Sequence, residues 1–145
     1  MQQTLTKEKL AEVKKKLQHW LDDIQVLVIP TIMSSLFFGS RRSSAPFYNP
    51  FVAFKEIGLW AQKAQDAVKT NPTLSLLLQD AGRTAIEQLV RLTSAESLSA
   101  FKSNMPIKNI ERLEYFLEYH TIIVRCVVDL KHRIDWLLEN ELKDT

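Results

Sequence analysis

Residues 24–40, IQVLVIPTIMSSLFFGS, carry no charge and lie between Asp22-Asp23 and Arg41-Arg42. A stretch of this length is at the lower edge of what crosses a bilayer core of about 30 Å. Gln25, Pro30, Thr31, Ser34 and Ser35 interrupt its apolar character, and its first residues continue a pattern that starts well before it. That pattern is Leu10, Val13, Leu17, Trp20, Leu21, Ile24, Leu27 and Val28, the three-and-four spacing that lays one apolar stripe along a helix. The stretch therefore reads as the buried spine of a helical bundle rather than as a membrane span. Thr6 is the expected N-cap of this helix, with Glu8 in its first turn where negative charge is favoured. Pro30 cannot donate to the carbonyl four residues back, so the helix is expected to stop or kink there. Residues 31–38 then form a tilted continuation or a short helix of their own.

Beyond the spine, the prolines mark the boundaries. Residues 39–49, GSRRSSAPFYN, have no period and gather turn formers, which predicts the one long loop. Asn49-Pro50 and Asn71-Pro72 each place a capping residue before a proline in a first helical turn. A second helix is expected from Pro50 to about Lys69 on Phe51, Phe54, Ile57, Ala61, Ala64 and Val68. A third follows through Leu74, Leu77, Leu78, Ala81, Ala85, Leu89 and Leu92, with Gly82 leaving room for a close neighbour. Thr93 and Glu96 suit a capping box for a short helix that turns Leu98 and Phe101 inward. The last helix is expected from about Pro106 to Leu142, with Ile110, Leu113, Phe116, Leu117, Ile123, Val124, Val127, Leu130, Ile134, Leu137 and Leu138 on its stripe. At 1.5 Å per residue it would run roughly 50 Å and outreach its neighbours. No alternating strand pattern competes, so the fold class is all-α: four main helices plus one or two short ones, in a single domain over residues 1–145.

The bulk numbers agree. A hydrophobic share of 46% with 25% charged residues is that of an ordinary globular chain. A net charge of +2, from 19 basic and 17 acidic residues, is too balanced to argue for nucleic acid as a partner, and none is expected. The Lys14-Lys15-Lys16 run is flanked by Glu12, Asp22 and Asp23 and reads as a solvated helix face. Cys126, the single cysteine, lies in the apolar run IIVRCVV and closes no disulfide, so nothing asks for an oxidising compartment. Met1 is followed by no apolar leader, and the expected location is the cytoplasm.

Catalytic machinery is hard to assemble from these residues. No glycine-rich phosphate loop, metal-ligand spacing or nucleophile–base pair stands out, so an enzyme is not expected and no cofactor or metal is assigned. His19 sits among lysines and aspartates; His132, flanked by Asp129 and Asp135, imitates a metal motif on a charged face. His120 differs, because Phe116, Leu117, Ile123, Val124 and Val127 surround it in sequence. It reads as a core histidine hydrogen-bonded to a carbonyl or hydroxyl, and it is the weak candidate for a haem or ligand site.

The partner-binding candidates are Phe37, Phe38, Arg41, Arg42, Phe47, Tyr48 and Phe51, where aromatic rings flank a pair of arginines. Such a mixture suits a protein interface or an interfacial membrane anchor. Ser44 follows the arginines as a basophilic phosphorylation string would place it. The expected function is a non-catalytic assembly module, an adaptor or complex subunit that docks through an apolar helix face and this loop. It would bind a protein partner or itself as a homo-oligomer. A peripheral membrane-associated protein is the alternative, and a ligand or haem sensor the third.

Overall fold

The computed structural model describes the backbone of residues 6–37 and 50–145, and side chains for residues 6–26 and 53–145. These residues form five helices and no strand: α1 (Lys7–Phe37), α2 (Pro50–Thr70), α3 (Pro72–Leu92), α4 (Ala95–Ser103) and α5 (Asn109–Glu139). The all-α bundle with a long C-terminal helix stands as the spacing predicts. No helix among the described residues is long and apolar enough to cross a membrane.

Helix α1 persists further than its proline suggests, while the side chains of residues 27–40, and with them the burial expected of the uncharged stretch, lie outside the described residues. Thr6 caps α1, its Oγ1 accepting from Lys9 N at 3.2 Å, and the helix runs through Pro30 to Phe37 without stopping. A proline withdraws one amide donor from the ladder while the turns on either side keep theirs, so the helix continues. Val13, Leu17, Trp20 and Ile24 are buried, which places the predicted stripe against the bundle. α1 and α5 are both 31 residues, about 46 Å at 1.5 Å per residue. The expected excess length of the last helix is thus matched by the first.

α3 is the central element, packed mainly on α2 and α5, while α1 lies against α5 and α2. Only Asn71 separates α2 from α3; its Oδ1 accepts from Leu74 N at 3.1 Å and caps the new helix. The capping box assigned to Thr93 is corrected to a Ser94 cap. Thr93 ends α3 with its hydroxyl turned back to donate to Leu89 O at 2.5 Å, which leaves Ser94 Oγ to accept from Ser97 N at 3.1 Å. Gly58 of α2 faces this junction. A Cβ there would lie 2.7 Å from Thr93 Oγ1 and 3.3 Å from Thr93 O, so the missing side chain lets α2 approach the turn.

α3 is broken inside its length. Gln79 has φ 57° and ψ −175°, a backbone region that L-residues rarely adopt. In a straight helix the carbonyls of Ser75 and Leu77 would accept from the amides of residues 79 and 81. Here two guanidinium groups donate to them: Arg83 Nη1 to Ser75 O at 3.1 Å, and Arg133 of α5 to Leu77 O through Nη2 at 2.7 Å and Nε at 3.2 Å. The break draws neighbouring turns together. Cβ atoms four residues apart on a helix are ordinarily about 5–6 Å from each other. A Cβ on Gly82 would lie 3.0 Å from that of Leu78, and 3.5 Å from Arg133 Cγ. The predicted close approach at Gly82 is therefore chiefly to its own helix. Ala81, expected in the core, is exposed, and Ile86 is buried in addition to the predicted stripe.

The last helix starts later and ends earlier than its prolines and leucines suggest, and Leu142 is buried in a turn beyond it, Leu142 N donating to Leu137 O at 2.7 Å. Its inward face is Phe116, His120, Ile123, Val127, Leu130, Ile134 and Leu137. Ile110 and Leu117, expected on that face, point outward instead. Leu117 follows Phe116 directly, about 100° round the helix, and only one of the two can face the core.

Candidate functional site

Of the predicted docking residues, Phe38, Arg41, Arg42, Phe47 and Tyr48 lie outside the described residues, as does Ser44. Phe37 is the last residue of α1 and Phe51 the second of α2, each described in its backbone alone.

Phe54, one turn further into α2, is fully buried at the centre of an aromatic cluster. It stacks on Phe116 at 5.7 Å between ring centroids, meets Phe101 of α4 edge-on at 6.2 Å, and touches Tyr119 and His120 of α5. Tyr119 ties this cluster to the end of α3 by donating its hydroxyl to Leu92 O, and burial raises its pKa. His120 is 6% exposed, and its Nε2 is buried without any hydrogen-bond partner. No carbonyl or hydroxyl of the described residues reaches Nε2, and the rings of Phe54 and Phe116 lie beside it. Desolvation lowers the imidazole's pKa, so the neutral form is favoured.

The other titratable candidates sit at the surface. His19 is largely exposed, with Nε2 3.9 Å from Asp23 Oδ1. Asp135 pairs with Lys131 at 2.7 Å rather than with the exposed His132. Cys126 is half-buried and its thiol pKa is raised, first by desolvation and then by Asp129, the opposite of what a reactive thiolate needs. No group of three or more metal-ligating side chains converges among the described residues.

Two surface features were not singled out by the sequence. Between α1 and α2 lies an open groove of about 1030 Å³, where Trp20 and Trp60 meet edge-on at 5.6 Å and Trp60 Nε1 donates to Asp23 Oδ2 at 3.0 Å. Its rim mixes Lys15, Lys16 and Lys63 with Glu12, Asp22 and Glu56. The second is the outward face of α5, where Ile110, Leu117, Ile122, Val128 and Trp136 are exposed, Ile110 at 74% and Ile122 at 49%. Midway along this face is a shallow hollow of about 590 Å³ lined by Glu114, Leu117, Glu118, Thr121, Ile122 and Arg125. A sequence signal existed for this surface: its apolar residues exceed what one face of a helix can bury.

Comparison with protein-family models, with curated proteins and with solved structures returns no match.

Proposed function

We propose that this chain is a non-catalytic assembly module that docks through the outward face of α5. The observation that carries this reading is the series of apolar side chains exposed along one helix whose opposite face is already filled by the core. Exposed apolar residues scattered singly are ordinary, whereas a series along one helix with charged neighbours has the composition of a docking surface. The aromatic and arginine residues Phe37, Phe38, Arg41, Arg42, Phe47, Tyr48 and Phe51 are proposed as a second contact, on the strength of their composition. Cys126 as a lone thiol supports a cytoplasmic setting.

A photo-crosslinking residue substituted at Ile122 and expressed in the native cell tests the reading. Discrete adducts are expected there and not from the same probe at exposed Glu96 on α4. Identical patterns from the two positions would overturn it.

A further inference from the structure

The hollow on α5 has a property that individual residues do not reveal. Its six lining residues are Glu114, Leu117, Glu118, Thr121, Ile122 and Arg125, all from one helix. Reflecting the numbering about the point between Tyr119 and His120 exchanges them among themselves: 114 with 125, 117 with 122, and 118 with 121. Glu114 and Arg125 are eleven residues apart, three helical turns, and therefore lie on the same face. Neither has an ion-pair partner among the described residues. Outside the hollow, Ile110 and Val128 are placed almost symmetrically about the same point, and both are exposed.

Resting on the reading of α5 as a docking face, we infer that the occupant is a second copy of this chain. The two α5 helices cross antiparallel about a two-fold axis between Tyr119 and His120, so that Glu114 of each copy meets Arg125 of the other. An isologous contact requires a surface complementary to itself. This one is: an acid of each copy meets a base of its partner at both ends, and between them Leu117 and Ile122, on opposite edges of the face, each meet their own counterpart in the other copy. A parallel pairing would set Glu114 on Glu114 and Arg125 on Arg125, which like-charge repulsion disfavours. A single helix crossing buries less than the roughly 1,200–2,000 Å² of a stable interface, so the dimer is weak and sensitive to concentration.

Analytical ultracentrifugation of the full chain at low salt, up to concentrations on the order of 100 μM where weak interfaces are populated, reads the association directly. Arg125→Glu and, separately, Glu114→Arg are expected to weaken it by about tenfold or more through like-charge contact. An equimolar mixture of the two variants forms a heterodimer, and the double variant Glu114→Arg/Arg125→Glu self-associates again. Both positions are exposed, and circular dichroism verifies that each variant keeps its helix content. A dimer indifferent to both single substitutions, or a failure of the mixture to recover association, would overturn the antiparallel pairing. A monomer at every concentration would overturn self-pairing altogether, while discrete adducts to another protein from position 122 would leave the assembly reading standing.

Discussion

Among individual residues, His120 and Gln79 are held in conformations or surroundings that cost free energy. His120 is buried beside Phe54 and Phe116 with Nε2 unpartnered, and burial holds its pKa below the ordinary value of about 6.5. The unfolded chain therefore takes up a proton at a higher pH than the folded one does. The stability supplied by the neutral ring is fully present above about 6.5 and is lost as pH falls from there towards the folded-state value. His120→Phe removes both the titration and the unmet polar atom, and an unsatisfied buried group costs about 1–3 kcal/mol. Urea denaturation should show the variant more stable by about 1 kcal/mol near neutrality, the larger ring offsetting part of the gain. The gap over the parent should widen below pH 6.5; a constant gap would show that the imidazole does not titrate with folding. Gln79 is the second case. Its strained backbone costs about 1–3 kcal/mol, against about 0.5–1 kcal/mol for the extra unfolded-state entropy of glycine. Gln79→Gly should therefore stabilise the chain by about 1 kcal/mol, read as a raised urea midpoint with an unchanged slope.

The elements show what a sequence pattern can and cannot register. Periodicity and proline placement located α1, α2, α3 and α5, because a covered stripe and a missing amide donor are both local facts, while α4 was read from a capping pattern one residue out of place. The stripe of α1 and the Asn71 cap of α3 are direct examples. The break at Gln79 was not legible, since glutamine is a good helix former and one of the two stabilising guanidinium groups is remote: Arg133 reaches Leu77 from α5, 56 residues away in sequence. Ile110 and Leu117 were misplaced for a related reason. An over-wide apolar stripe does not state which of its edges the neighbouring helices will cover. The candidate site divides the same way: His120 was legible as buried, but its lack of a partner depends on which rings pack around it. Helix ends allow a prediction at this scale. α5 begins at Lys108, which has an extended backbone and offers no side-chain acceptor to the first amides. Lys108→Ser supplies one, and capping of this kind contributes about 0.5–2 kcal/mol. The exchange also removes a positive charge from the positive end of the helix dipole. The thermal midpoint should rise; a fall would mean that the lysine stem packs where its hydroxyl replacement cannot.

For the whole molecule, the question is whether five helices behave as one cooperative unit. Phe54 is where the answer is most exposed, because a single ring from α2 contacts α4 through Phe101 and α5 through Phe116, Tyr119 and His120. The indole pair Trp20 and Trp60 reports on a different junction, the one between α1 and α2, where Asp23 holds Trp60. Phe54→Ala leaves a cavity at a fully buried site, and such truncations cost about 3–5 kcal/mol. In a single domain that loss is shared by every element, so helix content by circular dichroism and tryptophan emission should lose their transitions together, at one lowered denaturant midpoint. The result that would contradict a single unit is specific. Ellipticity would fall early while the emission of Trp20 and Trp60, read in a Trp136→Phe background, kept its original midpoint, showing that the α1–α2 junction holds without the aromatic cluster. Coincident transitions would instead make the cluster a structural keystone of the bundle, tying α2, α4 and α5 into one cooperative unit with the α1–α2 junction.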